Sequence, residues 1–282
     1  MDLTSFCIPY HDDYRFAPNV WLRSALFGAR SPAQLRQVYQ SDNPKSVVTL
    51  KSFELLQRGT ALDQADLDVL LTIGNEFGLR EMDRGLPMSR LVMPFRGLLQ
   101  ASSRKDGGKN RKWLSESLSR LGQCQVSFWG HADLDLDPEW HSMISLNDIS
   151  TCSATIDLGQ TVREFFAAGF TGINWVQRQQ LSHLGKWLHA FYSSHQRRPL
   201  PIKIQTIRRL CGRSNDLDGM ASTFSSTLAA ELIKLADITG WKCRIENHKV
   251  VITKGDDGIG GNAATCESYI KRLDAGDWSE VI

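Results

Sequence analysis

The sequence predicts the same order of secondary-structure elements in both halves of the chain, and this repetition constrains the fold more than any other feature. Apolar residues at helical spacing alternate with short β-branched stretches and with turns rich in Gly, Asn and Asp. The predicted elements of the second half are, in chain order, a helix at 182–194, an extended segment at 202–204, a helix at 205–211, a polar turn at 213–218, a helix at 220–239, and strands at 241–245 and 250–253.

The first half predicts a comparable series. Its elements are a short helix at 19–27, a hairpin formed by 35–39 and 47–56 around the turn 41–44, a helix at 63–77, an apolar stretch at 91–95, helices at 96–101 and 110–121, and strands at 123–129 and 143–146. Asp63 is the expected N-cap of the helix at 63–77, and Gly78 is its expected C-terminal stop.

Helix, short strand, helix, turn, helix and two-stranded ribbon is the order of a winged-helix domain. Because the order occurs twice, the sequence predicts an α+β protein with tandem winged-helix domains. The expected divisions are an N-terminal extension at 1–15, winged-helix domain 1 at 16–158, winged-helix domain 2 at 159–254, and an acidic C-terminal tail at 255–282.

Composition excludes several classes of protein. The 282 residues are 41% hydrophobic and 23% charged, which is typical of globular chains and not of disordered or fibrous ones. The sequence has neither a signal-peptide pattern at its start nor a run of 18 apolar residues, so we expect a cytoplasmic protein without a membrane partner. The six cysteines form no C-x-x-C pair and are expected to be reduced thiols.

Charge is segregated along the chain, although the formal net charge is only +2. Residues 101–130 contain six basic side chains against two acidic ones, whereas 131–160 contain six acidic side chains and no Lys or Arg. Residues 196–254 contain eleven basic side chains against five acidic ones, and the remainder of the chain is acidic again. Two basic blocks about one domain apart indicate two anion-binding surfaces, although solvated faces with an incidental charge bias would give the same pattern.

A winged-helix domain places its third helix in the major groove and its ribbon and second helix along the phosphates. The predicted DNA-binding residues of the second half are therefore the basic residues around its second helix and ribbon and the small polar face of its third helix: Lys203, Arg208, Arg209, Arg213, Ser222, Thr223, Ser226, Lys242, Arg244 and Lys249. The equivalent residues of the first half are Lys105, Lys109, Asn110, Arg111, Lys112, Ser115 and Ser119.

Three segments resemble the TrfA family of plasmid replication initiators and, more distantly, the RepC-type initiators. They are APNVWLRSALFGA at 17–29, LSESLSRLGQCQVSF at 114–128, and FYSSHQRRPLPIKIQTIRRLCG at 191–212, of which the last is the most specific. The resemblance is collinear from Phe16 to Lys254, and the tail beyond Lys254 departs from the family pattern.

The resemblance implies tandem winged-helix domains that bind iteron repeats in double-stranded origin DNA and promote opening of the origin. It also implies recruitment of the host initiator, the replicative helicase and the sliding clamp, and an equilibrium between monomer and dimer. Gln180–Leu184 superficially resembles a clamp-binding peptide. That segment coincides with the first helix of the second domain, so its leucines are expected in the core.

Two other functions fit parts of the sequence. A rolling-circle nicking initiator needs a His-x-His metal motif and a nucleophilic Tyr, and the sequence contains no His-x-His triplet. The acidic segment 131–141 could supply ligands to a hard metal ion, but an exposed acidic loop explains it equally well. A winged-helix repressor would share every DNA-binding feature. We expect a DNA-binding protein with no catalytic residue, no metal and no cofactor.

Overall fold

The computed structural model describes residues 6–30, 35–49, 54–129, 140–213, 221–255 and 260–261. The helices are Asn19–Leu22 (α1), Gln64–Arg84 (α2), Phe95–Ala101 (α3), Gly108–Gln123 (α4), Gln160–Ala167 (α5), Trp175–Gln179 (α6), His183–Ser193 (α7), Ile204–Leu210 (α8) and Ala221–Thr239 (α9). The strands are Tyr14–Pro18 (β1), Phe27–Gly28 (β2), Val38–Tyr39 (β3), Lys45–Val47 (β4), Glu54–Thr60 (β5), Leu62–Asp63 (β6), Arg90–Pro94 (β7), Gln125–Trp129 (β8), His141–Ser142 (β9), Ser145–Ile149 (β10), Ser153–Asp157 (β11), Phe170–Asn174 (β12), Ile202–Lys203 (β13), Lys242–Glu246 (β14), Lys249–Thr253 (β15) and Gly260–Gly261 (β16).

Helix α2 is the central element of the first half. Asp63 caps it as predicted, since its carboxylate accepts hydrogen bonds from the backbone N–H groups of Ala65 and Asp66 in a capping box. The predicted stop at Gly78 is wrong, because the helix continues to Arg84 and ends at Gly85 in the left-handed region, with φ of 68°. Gly78 serves close packing instead: a Cβ there would lie 2.9 Å from the carbonyl oxygens of Ile8 and Pro9.

Three buried carboxylates on α2 hold the surrounding elements by ion pairs. Asp66 accepts hydrogen bonds from Arg120 Nη2 of α4 at 2.8 Å and from Arg36 Nη1 at 2.7 Å. The other two carboxylates are those of Asp68, which pairs with Arg178 and Lys186, and Glu81, which pairs with Arg163. Every described element that contacts these carboxylates is therefore oriented by charge as well as by apolar packing.

The structure contains two similar three-stranded sheets, one in each half, and each has two helices between its first and second strands in chain order. In the first half β7 precedes α3 and α4, and the sheet order is β10-β11-β7. In the second half β13 precedes α8 and α9, and the sheet order is β14-β15-β13. All pairings in both sheets are antiparallel, so the two units share their strand order and directions.

The structure corrects the first ribbon. The predicted strands 123–129 and 143–146 correspond to β8 and part of β10, but these do not pair with each other. Strand β8 pairs with β5 and β9. The ribbon is formed instead by β10 and β11, and β11 is a strand that the sequence did not predict. Strand β8 is buried on both faces, at Val126, Ser127 and Phe128, and so belongs inside a larger sheet and not in an exposed ribbon.

Two further predictions for the first half are wrong. The helix expected at 19–27 ends at Leu22, because the following backbone bonds to other strands: Ala25 N donates to Val48 O, and β2 pairs with β6. The expected hairpin of 35–39 with 47–56 does not form either. Strands β3 and β4 each pair with a different part of β5, which is seven residues long.

The buried apolar side chains form two clusters, which we name the first core and the second core. The first core contains side chains from Phe6 to Trp175 together with Ala190, and includes those of α5 and β12. The second core contains Ala29 and side chains from Leu181 to Ile252. The boundary expected at 158/159 therefore lies within the first core, and the division between the cores falls between α6 and α7.

The two halves are joined by backbone contacts directly after the end of α8. Ala29 N donates to Cys211 O at 2.8 Å. Gly212, with φ of 76°, lies so close to Gly28 that a Cβ on it would be 3.4 Å from Gly28 Cα. No helix in the described part of the chain is long and apolar enough to cross a membrane.

Alanine substitution of two glycines in α2 should give opposite results. Gly78→Ala should reduce the free energy of unfolding by about 1–3 kcal/mol, because its methyl group meets two backbone oxygens that cannot move independently. Gly74 is the matched control in the same helix: a Cβ there would have no other atom within 4 Å, so Gly74→Ala should be neutral or stabilising by about 1 kcal/mol. Chemical denaturation measures both. Equal effects would contradict the proposed packing role of Gly78.

Removing Asp68 should destabilise the fold far more than removing Asp157. The Arg178 side chain paired with Asp68 is 0% exposed, so Asp68→Ala leaves a buried guanidinium unpaired at a cost of roughly 3–5 kcal/mol. Asp157 also pairs with an arginine, but that side chain, Arg90, is 58% exposed, so Asp157→Ala should cost at most about 1 kcal/mol. Comparable losses in the free energy of unfolding would refute this difference.

Candidate nucleic-acid interface

Helix α9 has the two faces that the sequence predicts. Phe224, Leu228, Leu232 and Leu235 are buried in the second core, at no more than 4% exposure. Thr223 and Ser226 are exposed on the other side, and Ser226 Oγ donates to Thr223 O at 2.9 Å. The predicted residue Ser222 is the second residue of α9, and residues 214–218 of the predicted turn lie outside the described residues. In the leading part of α9 the exposed side chains Thr223 and Ser226 are small and polar and permit close approach of another molecule, whereas Ile233 and Lys234 are exposed farther along the helix.

The ribbon β14–β15 projects basic side chains beside α9. Lys242, Arg244 and Lys249 are all exposed, and Arg244 Nε donates to Glu246 Oε1 at 2.5 Å. Asn247 and His248 form the turn with φ of 48° and 59°, a left-handed geometry that suits a two-residue hairpin. The ribbon thus carries a basic edge, with one of its three cations partly neutralised by a carboxylate.

A cleft of about 390 Å³ lies between this turn, the start of α8 and the start of α9. Its lining combines cationic, polar and apolar side chains. The lining residues are Lys203, Ile204, Gln205, Arg208, Phe224, Ser225, Asn247, His248 and Lys249. Three of the predicted DNA-binding residues, Lys203, Arg208 and Lys249, are brought together here. Gln205, Ser225, Asn247 and His248 were not predicted from the sequence, because they meet only where the turn, α8 and α9 pack together.

The arginines at the end of α8 differ in their surroundings. Arg209 is exposed, whereas Arg208 is half-buried at the cleft. Arg213 is tied to the first half of the molecule, since its Nε donates to Ala29 O at 2.8 Å and its guanidinium lies 6.0 Å from the centre of the Phe224 ring. Arg213 therefore joins the two halves, in addition to the DNA contact predicted for it.

In the first half, helix α4 also buries its predicted apolar stripe of Leu114, Leu118 and Leu121. Lys112 is exposed, and Ser115 and Ser119 are half-buried, with Ser119 Oγ accepting from Gln123 Nε2 at 3.3 Å. The polar face of α4 is thus less open than that of α9.

Four of the predicted residues lie just before α4 or in its first turn: Lys105 precedes the helix, and Lys109, Asn110 and Arg111 belong to it. Lys105 and Lys109 are exposed, and Asn110 Nδ2 donates to Lys105 O at 2.7 Å. Arg111 pairs with Asp106 through both oxygens, at 2.6 and 2.8 Å. These hydrogen bonds from Arg111 lower the pKa of the Asp106 carboxyl and raise the pKa of Arg111, so both remain ionised at neutral pH. The local positive charge comes mainly from the two lysines.

The ribbon of the first half lacks the basic edge of the second. Residues 145–153, which span β10, its turn and the start of β11, contain no Lys or Arg and include Asp148. The two units therefore share a backbone arrangement but differ in charge.

Two alternatives from the sequence can be compared with the structure. Leu181 and Leu184 are buried in the second core, which confirms that the leucines of the clamp-like segment are core residues. Among the described residues no group of three His, Cys, Asp or Glu side chains could hold a metal ion. The acidic segment 131–141 is expected to be a loop, and residues 131–139 of it lie outside the described part of the chain.

Comparison with known proteins agrees with the family resemblance. The chain is 28% identical over 218 residues to the plasmid replication initiator protein TrfA of Escherichia coli, a match that covers 75% of this chain and 55% of TrfA. The resemblance to TrfA replication initiators is confirmed. Because the matched part is only 55% of TrfA, the chain spans about half the length of this relative. No family model matches the chain.

Solved structures of RctB are also similar to this chain. A crystal structure of RctB domains 2 and 3 aligns with a TM-score of 0.54 and 15% sequence identity, and covers 85% of this chain and 99% of that one. A second structure of RctB domains 2–3 aligns with a TM-score of 0.47 and 13% identity over 85% of this chain and 96% of that one. The first of these likenesses shows that the fold is shared.

Proposed function

We propose that this protein is a plasmid replication initiator that binds iteron repeats in origin DNA, promotes opening of the origin and recruits host replication proteins. The observation that carries the proposal is the repeated unit of strand, two helices and ribbon, in which both candidate recognition helices, α4 and α9, follow a basic segment. The similarity to TrfA supports the same function, since TrfA is named as a plasmid replication initiator.

We propose that each unit is a winged-helix domain. The first domain then extends from about residue 16 through α6, and the second from Leu181 to Lys254. This division keeps most of each hydrophobic core within one domain, although Ala190 packs in the first core and Ala29 in the second. The shared strand order of the two sheets supports this assignment.

In this assignment the exposed polar residues of α9 and the leading end of α4 contact base edges in the major groove. The basic residues of α8 and the second ribbon, together with Lys105 and Lys109, contact phosphates. Because phosphate contacts dominate affinity and base contacts determine specificity, the two groups of residues should respond differently to substitution.

The proposed activity requires no catalytic residue or cofactor in this chain. Origin opening would be driven by the free energy of binding and by the recruited host initiator, helicase and sliding clamp, in the bacterial cytoplasm. The monomer would bind the iterons, in equilibrium with a dimer. The similarity to TrfA is the support for these partners and for the monomer–dimer equilibrium.

The purified protein should bind DNA from its own plasmid origin that contains direct repeats at least 1000-fold more tightly than random duplex of equal length, as is typical of specific DNA-binding proteins. Fluorescence anisotropy at about 150 mM salt measures both affinities, and footprinting locates the protected repeats. Equal affinities would reject iteron recognition. A covalent tyrosyl-DNA product on supercoiled origin plasmid with Mg²⁺ or Mn²⁺ would instead support the nicking alternative.

Arg209→Ala and Ser226→Ala should separate phosphate contacts from base contacts. Loss of the exposed Arg209 cation should weaken binding to every sequence and reduce the salt slope, d(log K)/d(log[salt]), by about 0.9. Ser226→Ala should leave the slope unchanged and alter the preference among base-substituted repeats. Lys234→Ala is the matched charge control, since Lys234 is exposed on α9 outside the predicted interface. An unchanged sequence preference for Ser226→Ala would remove this face of α9 from base recognition.

A further inference from the structure

Two lysines face each other across the second sheet. Lys203 of β13 and Lys249 of β15 are directly opposite in the antiparallel register, and both side chains are exposed. Like charges at directly opposed positions destabilise a sheet. Within the described residues neither ammonium group forms an ion pair, and the nearest carboxylate in register, that of Glu246, is hydrogen-bonded to Arg244. Glu246 is the cross-strand neighbour of Lys249 but is shared with Arg244, so it offsets the repulsion between the two lysines only in part.

Both lysines line the cleft of about 390 Å³ between the ribbon turn and helices α8 and α9. Arg208 and His248 add further nitrogen groups to its wall, and the other polar lining residues are Gln205, Ser225 and Asn247. Ile204 and Phe224 supply an apolar surface, and no Asp or Glu is among the described lining residues. A concave site with several cationic and polar groups and no carboxylate matches a phosphate group, whose oxygens accept from several donors.

The first unit shows that the fold itself does not require these lysines. In the second unit, Ile204 N donates to His248 O at 3.0 Å, and in the first unit, Phe95 N donates to Cys152 O at 2.7 Å. This shared hydrogen bond aligns the two units residue by residue. The positions that correspond to Lys203 and Lys249 are then Pro94 and Ser153, which are also paired in register. The same backbone arrangement thus forms without the two charges.

We propose that the cleft between the β14–β15 turn and helices α8 and α9 binds a single phosphate group, which Lys203 and Lys249 share. When DNA is bound, this phosphate group is one phosphate of the DNA backbone, an assignment that rests on the proposed function. Inorganic phosphate offers the same chemistry and occupies the cleft in the absence of DNA. The first unit has Pro94 and Ser153 in place of the two lysines, so the second unit anchors the backbone.

Binding of inorganic phosphate to the full chain tests the site without DNA. The melting temperature should rise with added phosphate, beyond the rise in sodium chloride of equal ionic strength, for the wild type and for the control Lys234→Ala. Lys203→Ala and Lys249→Ala should lose that excess rise, because generic exclusion of phosphate from the surface stabilises all variants alike. Lys203→Ala should also be at least as stable as the wild type without phosphate, since the repulsion is removed without loss of the cross-strand pair of Lys249 with Glu246. An excess rise that survives in both variants would overturn the proposal.

The salt dependence of binding to origin DNA tests whether one phosphate is shared. Because the slope counts neutralised phosphates, the double variant should reduce the salt slope by about 0.9 in total, and neither single variant should reduce it by more than that. A reduction of about 1.8 in the double variant would mean two separate phosphates and would overturn the sharing. A cleft-specific effect of inorganic phosphate without any preference for repeated DNA would reject the proposed function and leave the anion site standing.

Discussion

The buried carboxylates of α2 are the interactions on which the rest of the fold depends. A buried ionised group is tolerated only when it is paired and hydrogen-bonded, so each carboxylate requires a specific partner from a distant segment. Asp66 selects the position of α4 through Arg120, and Glu81 selects that of α5 through Arg163. Asp68 pairs with Arg178 and Lys186, which flank the division between the two cores, and burial lowers the pKa of Lys186 despite this pairing. One helix therefore fixes the candidate recognition helix of the first half and the first helix of the second half.

The contacts between the halves place both candidate DNA surfaces on one body. Arg213, at the end of the basic segment before α9, bonds to the backbone of Ala29, and the neighbouring glycines Gly28 and Gly212 allow the chains to approach closely. This arrangement links the region that introduces α9 to the same half that carries α4. The two units differ in charge on this common frame, since only the second ribbon has a basic edge.

Prediction from the sequence succeeded where a pattern is local. Helices α3, α4, α7, α8 and α9 and the ribbon β14–β15 were predicted within about two residues, because their apolar periodicity and their turns are complete within short segments. It failed where non-local pairing decides the outcome. Gly78 is a residue type that often ends a helix, but it lies inside α2. Apolar and polar residues alternate in β8 as in a ribbon strand, but β8 is buried in a larger sheet. The cleft was predicted only through its cations, since its polar lining depends on how a turn packs on α8.

The sequence by itself determined the repeated order of elements, the buried stripes of α4 and α9, and the segregation of basic residues into two blocks. Periodicity and charge are properties of neighbouring residues, so no tertiary information is needed to recognise them. Only the tertiary structure decided which strands pair, which arginines form ion pairs within the protein, and which cationic side chains lie close together. Lys203 and Lys249 are 46 positions apart in the chain, and it is the register of β13 on β15 that makes them neighbours and brings them to one cleft.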